Sequence, residues 1–500
     1  MARADVRKVS AAELVSHRTE HDCWIAFHGS VFEVSSFLSE HPGGKQVLME
    51  VAGADGTRAF QAIHPQSMLE KLPAGSKVGV INAVEEAKAQ LAPLAGAKSS
   101  ASASVSCFAC LQALGSLLRR PREEVASASR KVKFTTLDHI INVNDFELAA
   151  QERMQKTGYD YYASAACDEV TKRANCEAYS RLWLRPRVMV DVSSVDVSCV
   201  LLGCPSSLPL FISPSAMAGM AHPDAEVGLA RAAGKAGIIQ CIANMATRDL
   251  EAITGARLPG QQQWYQVYVN PDRSKTEAML QRVLATGLTA LLVTVDTNVI
   301  GRRERDQRNK VQDKTNVALV QKTGQSTSGG VIGALGTFTD ARLSWKDLAW
   351  LRSVTAGRMK LVLKGVQTGE DAVLAAQNGL DGIVISNHGG RQLDHARPTL
   401  EVLAEVTAAL GSAGLAGSLE VFVDGGIRRG TDIYKALALG AKAVGIGRPA
   451  LYSLAFGQPG VEKCLQLLQD EFINCMQLMG KTSLAEISAA DVVWKPLVAA

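Results

Sequence analysis

The sequence lacks an excess of charge of either sign, a long apolar run and a dense set of cysteines. Its 53 basic and 49 acidic side chains leave a formal net charge of +4. They are mixed along the chain, so no basic stripe that could follow a phosphate backbone stands out, and nucleic acid is not an expected partner. No run of about 18 apolar residues occurs, which excludes a membrane-spanning helix.

The cysteines and the first residues bear on the compartment. Ten cysteines are scattered through 500 residues without the spacing of a disulfide-stapled secreted domain, so we expect reduced thiols. The start, MARADVRKVSAAELVSH, has no apolar stretch suited to a signal peptide. Folded-domain sequence begins by Val9, which leaves little room for a removable presequence. A cytoplasmic and a mitochondrial location both stay open.

Three zones follow one another along the chain. Residues 6–82 form a compact unit, and residues 133–500 hold repeated strand and helix patterns. Residues 83–132 include the run AKSSASASVS, which lacks a hydrophobic period, so we expect a flexible linker there.

The third zone contains eight short apolar runs with helical patterns between them. Such alternation indicates a parallel sheet covered by helices. Eight units favour a closed (β/α)8 TIM barrel over a doubly wound α/β sheet. The expected strands are 208–213, 237–242, 263–269, 289–295, 359–365, 381–386, 418–424 and 443–447.

Polar side chains recur where the third to eighth runs end. A single charged residue at a strand end is usually a cap or a surface group, but six successive ends favour a functional site. The loops at these ends meet at one mouth of a barrel, so we expect the side chains to lie together. They are Gln266, Tyr268, Thr294, Asp296, Lys364, His388, Arg391, Asp424, Gly425, Gly426, Arg428, Gly447 and Arg448.

Two kinds of motif indicate the chemistry of this mouth. In SNHGGRQLD, His388 supplies a base that titrates near neutrality, and Arg391 can hold a carboxylate through two parallel hydrogen bonds. Asp296 can orient the imidazole, and no serine-nucleophile motif accompanies the pair. The clusters DGGIRRG and GIGRP combine backbone freedom with guanidinium groups, which predicts a phosphorylated cofactor or substrate.

Two histidines of the first zone, His41 and His64, stand 23 residues apart, and proline follows each. Zinc is one alternative, but no cysteine or further histidine nearby completes a tetrahedral set. A haem held by two imidazoles explains both histidines and the hydrophobic residues around them. Those residues are Phe37, Leu38, Val47, Leu48, Val51, Phe60 and Leu72.

At these motifs the sequence resembles two families joined in one chain. Residues 6–82, with CWIAFHGSVFEVSSFLSEHPGG and the later AIHP, resemble a cytochrome b5 domain, a small α+β fold in which two histidines ligate haem b. The barrel zone, with SNHGGRQ at 386–392, resembles the FMN-dependent 2-hydroxy acid oxidases and dehydrogenases. The combination resembles the flavocytochromes b2, which are cytochrome-type L-lactate dehydrogenases.

The resemblance implies a role for each matching residue. His388 is the implied base with Asp296 as its partner, Lys364 stabilises the reduced flavin, and His41 and His64 ligate the haem. The residues implied to contact substrate are Tyr161, Tyr268, Arg303, His388 and Arg391. Those implied to contact FMN are Ser215, Ala216, Gln266, Thr294, Lys364, Asp424, Gly425, Gly426, Arg428, Gly447 and Arg448.

The implied activity is oxidation of a small L-2-hydroxy acid, with L-lactate first, and electron transfer through the haem to a protein such as cytochrome c. An oxidase that uses oxygen and a non-catalytic electron carrier are the alternatives. The family also implies a homotetramer and the mitochondrial intermembrane space.

Three positions bear on specificity. Ala165 stands where the family usually has glycine, and Ala243, followed by Asn244, stands where relatives place serine against the flavin. Met245 takes a pocket-wall position that varies with substrate size, and its flexible thioether suits a medium aliphatic group.

Overall fold

The computed structural model describes residues 7–39, 41, 45–57, 60, 69, 72, 75–81, 134–309 and 339–495. The chain divides into two compact units, Met1–Glu124 and Val125–Ala500. The segment 83–132, which we predict to be a linker, lies outside the described residues. None of the helices described is long and apolar enough to cross a membrane.

The first unit contains an antiparallel sheet of four strands with an apolar cluster on each face. Successive side chains of a strand point to opposite faces, so Trp24 and Ala26 join one cluster and Ile25 and Phe27 the other. The elements described are α1 (Ala11–Ser16), β1 (Arg18–Thr19), β2 (Asp22–Phe27), β3 (Ser30–Glu33), α2 (Lys45–Met49) and β4 (Lys77–Val80).

Eight parallel strands of the second unit close into a barrel. They are β8 (Leu210–Ile212), β9 (Ile239–Ala243), β10 (Gln263–Val267), β11 (Ala290–Thr294), β12 (Lys360–Val366), β13 (Gly382–Ile385), β14 (Glu420–Asp424) and β15 (Ala443–Ile446). Their order around the barrel is β10-β11-β12-β13-β14-β15-β8-β9. Each strand overlaps one of the eight predicted runs, so the predicted TIM barrel is confirmed.

Among the described residues of the second unit, four further short strands lie outside the barrel and form two antiparallel pairs. Strand β5 (Leu182–Leu184) pairs with β16 (Val492–Trp494), and β6 (Cys199–Leu201) pairs with β7 (Cys204–Ser206).

Helices cover the outer face of the barrel, which explains why its strands are apolar on both sides. The helices described in this unit are α3 (Val143–Arg153), α4 (Lys156–Ala163), α5 (Val170–Arg181), α6 (Ala225–Lys235), α7 (Leu250–Gly255), α8 (Arg273–Ala285), α9 (Glu304–Gln307), α10 (Leu348–Thr355), α11 (Gly369–Gln377), α12 (Thr399–Ser412), α13 (Gly430–Ala438), α14 (Arg448–Ser453) and α15 (Gly457–Leu478).

The barrel interior is built in layers. Phe211, Trp264 and Phe422 fill its centre, with ring centroids 5.4, 5.6 and 5.8 Å apart. Inward-facing residues recur at every second position, so the residues two positions further along the chain form the next layer, toward the carboxyl ends of the strands. That layer is buried and polar, and it contains Ser213, Gln266, Thr294, Lys364, Ser386 and Asp424.

Candidate active site

A cavity opens at the carboxyl ends of the barrel strands; it has a volume of about 1140 Å³, part of which is open to solvent. Two predicted residues, Thr294 and Asp296, do not line it but bond to side chains that do. The predicted residues that line the cavity are Tyr161, Ser215, Ala216, Gln266, Tyr268, Arg303, Lys364, His388, Arg391, Asp424, Gly425, Gly426, Arg428, Gly447 and Arg448.

His388 is held in one orientation by hydrogen bonds at its Nδ1 atom. It follows β13 in a single turn of 3-10 helix (His388–Gly390) and has a φ of +57°. Left-handed backbone at a residue other than glycine persists only where the surroundings fix it. Nδ1 lies 2.9 Å from Asp296 Oδ1 and 3.2 Å from Thr297 Oγ1. Nε2 lies 3.5 Å from the hydroxyl of Tyr268, another residue of the cavity lining.

The protonation states of the pair suit acceptance of a proton. Burial lowers the pKa of His388, and Asp296 offsets only part of that effect. Burial opposes ionisation of Asp296 as well, but the charges of His388 and Lys364, with hydrogen bonds from His388 and Thr297, lower its pKa to about 2. At neutral pH the carboxylate is therefore ionised and the imidazole is neutral, which is the state of a general base.

Two arginines supply positive charge beside this base. Arg303 is 3% exposed and donates to the carbonyl oxygen of Arg391 and to Gln392 Oε1. Burial and the nearby Arg391 lower the pKa of Arg303. Within the residues described, neither arginine forms a salt bridge with an acidic side chain, so an anionic ligand in the cavity would relieve their mutual repulsion.

Arg391 is also fixed by the C-terminal end of helix α4, which carries Tyr161. Its Nη1 atom donates to the carbonyl oxygens of Tyr161, Tyr162 and Ser164, and its guanidinium lies 4.9 Å from the ring centroid of Tyr161. A planar cation held in this way suits bidentate recognition of a carboxylate.

Lys364 brings a buried positive charge into the polar layer. It is 4% exposed, donates to Ser386 Oγ over 3.1 Å and lies 3.7 Å from Asp424 Oδ2. Burial alone would lower the pKa of Lys364, but Asp424 and Asp296 raise it overall, so the side chain stays charged.

The part of the cavity after β14 and β15 fits a phosphate-bearing group. Gly426 has a φ of +88°, and a Cβ there would clash with the carbonyl oxygen of Asn175, so only glycine is accommodated. A Cβ at Gly447 would meet only Ser215 Oγ, at 3.5 Å, and would otherwise enter the cavity. The Arg428 guanidinium makes no salt bridge with any of the acidic side chains described, which leaves a cation for a phosphate.

Arg448 behaves differently from Arg428, although we predict the same role for both. Its Nε, Nη1 and Nη2 atoms donate to the carbonyl oxygens of Tyr162, Gly389 and Ser164. The guanidinium therefore joins the C-terminal end of α4 to the turn after β13.

The first unit contains one predicted haem ligand among its described residues, His41, and an apolar cluster on one face of its sheet. The ring of His41 lies 5.9 Å from that of Phe37, and His64 lies outside the described residues. Val47 is 42% exposed and does not join the cluster. Phe37 is not a member of the cluster either. The five remaining predicted pocket residues are partly buried or buried members of it, which fits a flat apolar group: Leu38, Leu48, Val51, Phe60 and Leu72.

Several residues that our sequence reasoning missed hold the predicted ones in place. Ser213 donates to Asp424, Ser386 accepts from Lys364, and Thr297 donates to Asp296. Ser213 and Ser386 lie two positions beyond inward-facing apolar residues, so the strand period could have found them. Thr297 has no sequence signal other than its place next to Asp296.

Comparison with known families assigns both units. Residues 150–495 match the FMN-dependent dehydrogenase family, and residues 10–82 match the cytochrome b5-like heme/steroid binding domain. The chain belongs to the FMN-dependent dehydrogenase family and carries a cytochrome b5-like domain at its N-terminal side. The predicted cofactors, FMN and haem, and the predicted b5-like fold are confirmed by these matches.

Individual relatives cover both units or the barrel alone. The chain is 40% identical over 480 residues to L-lactate dehydrogenase (cytochrome) of Wickerhamomyces anomalus, covering 95% of this chain and 78% of the relative. It is 42% identical over 365 residues to glycolate oxidase 1 of Zea mays, covering 71% of this chain and 96% of that relative. Its similarity to a solved mutant flavocytochrome b2 with benzoylformate has a TM-score of 0.65 at 40% identity, covering 75% of this chain and 92% of that one. The resemblance to flavocytochromes b2 is confirmed.

Proposed function

We propose that this chain oxidises a small L-2-hydroxy acid, with L-lactate first, and delivers the electrons through its haem to a one-electron acceptor protein such as cytochrome c. The observation that carries the proposal is that one cavity is lined by His388, which is paired with Asp296 behind the lining, and by two arginines without acidic partners among the residues described. A relative over nearly the whole chain, named L-lactate dehydrogenase (cytochrome), supports the substrate and the kind of acceptor.

The substrate carboxylate binds to Arg391 and Arg303, whose charges it offsets. The cation–π contact and the three backbone bonds of Arg391 hold its guanidinium before substrate arrives, so little side-chain entropy is lost on binding. Tyr161 lies against this guanidinium, where it can contact the same carboxylate.

The hydroxyl proton of the substrate goes to Nε2 of His388. Asp296, bonded to Nδ1, stabilises the imidazolium that results. Burial raises the pKa of Tyr268 to about 12, so this residue keeps its proton and can donate to the substrate oxygen.

When bound, FMN supplies the two-electron acceptor and haem b the one-electron carrier. Lys364 provides a fixed positive charge where negative charge accumulates during the reaction. Arg428, with the glycines after β14 and β15, would hold the phosphate. Gln266 would meet the ring system, and Thr294, behind the cavity lining, accepts from its amide and holds it in place. His41 and His64 would ligate the haem iron.

We assign residues 6–82 to the haem domain, 83–132 to the linker and 133–500 to the catalytic barrel. A homotetramer is part of the proposal, and light scattering of the purified protein tests it.

Anaerobic addition of L-lactate, followed by visible absorbance, tests the function. The expected result is bleaching of the flavin followed by reduction of a b-type haem, with no change in His388→Gln. Flavin bleaching without haem reduction would favour an oxygen-using oxidase, in line with the glycolate oxidase relatives. No change with glycolate, L-lactate, 2-hydroxybutyrate or mandelate would favour a non-catalytic carrier.

A further inference from the structure

Glu226 is a buried carboxylate that none of these steps uses. It lies in the first turn of α6 and is 1% exposed. Its Oε1 atom accepts the backbone N–H groups of Ala218 at 3.0 Å and Thr247 at 2.8 Å, and its Oε2 atom accepts that of Arg248 at 3.1 Å. It forms no salt bridge in the part of the chain that the structure describes, so three backbone N–H groups satisfy its two oxygen atoms.

These three N–H groups belong to two separate loops of the active-site mouth. Ala218 lies in the loop after β8, and Thr247 and Arg248 lie in the loop after β9. The carboxylate therefore ties the two loops together. The last residue of β9 and these two loops contribute three apolar side chains to the lining of the cavity. We call this group the apolar wall: Ala216, Ala243 and Met245.

Further bonds join the same loops and indicate that their conformation is imposed. The N–H of Met217 donates to the carbonyl oxygen of Met245 at 3.1 Å, and that of Gly219 donates to Thr247 Oγ1 at 3.0 Å. Met217 has a φ of +62°. A left-handed residue other than glycine is strained and persists only where its surroundings fix it. The apolar wall would therefore shift if the hydrogen bonds between the two loops were lost.

We propose that Glu226 is a positioning residue that sets the size of substrate side chain the enzyme accepts, by holding the apolar wall in place. This inference rests on the proposed function, because the apolar wall lines the same cavity as Arg303 and Arg391, and its Met245 takes the position that we predict to vary with substrate size. A fixed wall excludes bulky 2-hydroxy acids. A released wall can move outward and admit them, while a small substrate still binds through its carboxylate.

The test compares kcat/KM for L-mandelate and L-lactate in variants of the full-length holoenzyme. Glu226→Gln keeps the shape but turns one acceptor oxygen into a donor that faces a backbone N–H. We expect kcat for L-lactate to fall less than about threefold, and the mandelate-to-lactate ratio to rise at least about fivefold.

A milder variant and a matched control accompany it. Thr247→Val removes only the acceptor for the N–H of Gly219 and should raise the ratio about twofold, even if Glu226→Gln fails to fold. Glu420→Gln is the control, because this carboxylate accepts the N–H of Leu202 at the opposite end of the barrel. Its ratio should equal that of the wild type.

A ratio that stays at the wild-type value in the Glu226 and Thr247 variants overturns the inference. An equal rise in Glu420→Gln also overturns it, since the effect would then be general loosening. Failure of the proposed function gives a different result, which is a wild-type protein inactive toward every 2-hydroxy acid. That result would contradict both the proposed function and the role of Glu226.

Discussion

Two adjacent layers inside the barrel use the same strands for opposite purposes. The central layer contains Phe211, Trp264 and Phe422, and the layer two positions further along the chain contains Lys364 and Asp424. Both layers are buried, so burial does not separate core from site in this barrel. The difference lies in hydrogen bonding: each charge of the polar layer has a partner, whereas the central layer depends on ring packing.

The largest expected effect comes from removing the base above the polar layer. His388→Gln should lower kcat for L-lactate by about 10⁴-fold, because general base catalysis is lost. The urea midpoint should stay at the wild-type value, since the central layer is untouched. A loss below tenfold would contradict the role of His388.

The next effect comes from the central layer. Trp264→Ala should lower the free energy of unfolding by about 3–5 kcal/mol, because it leaves a cavity among close-packed rings. Urea unfolding measures this change. Trp183→Ala is the control: Trp183 is 57% exposed, and its loss should cost less than about 1 kcal/mol. Equal costs at the two positions would show that the central layer is not the source of stability.

Asp296→Asn keeps the base, His388, but removes the carboxylate that orients it. The amide cannot stabilise the imidazolium, so kcat should fall by about 10²-fold, less than in His388→Gln. Steady-state rates with L-lactate, together with an unchanged flavin spectrum, measure this. Activity equal to that of the wild type would show that the 2.9 Å contact has no catalytic role.

The smallest effect is a shift in pH dependence. Burial lowers the pKa of His388 from 6.5, so the neutral base persists below that pH, and the acid limb of kcat/KM should have its midpoint below 6.5. In Asp296→Asn the limb should move to still lower pH, because the carboxylate that raises this pKa is gone. A wild-type midpoint above 6.5 would contradict this reasoning.

Much of the fold could be predicted because its signals are local. A continuous apolar run such as TALLVTV can be recognised without knowledge of its partners, and it appears as β11. The polar residues after each run could be assigned to one mouth, because parallel strands of a barrel point the same way.

The supporting contacts could not be predicted, because their partners come from distant segments. Glu226 looks like an ordinary acidic residue of a helix start, and its importance depends on which N–H groups meet its carboxylate. Arg448 looks like Arg428 in sequence, yet its guanidinium bonds to three backbone carbonyl oxygens.

The amino-acid sequence is sufficient to specify the eight strands, the b5-like unit and the chemical types at the strand ends, since hydrophobic period and motif are local properties. Closure of the barrel brings Nδ1 of His388 within 2.9 Å of a carboxylate 92 residues away, and it lets Glu226 join two loops. Such contacts depend on where separate strands end in space, which no short stretch of sequence encodes.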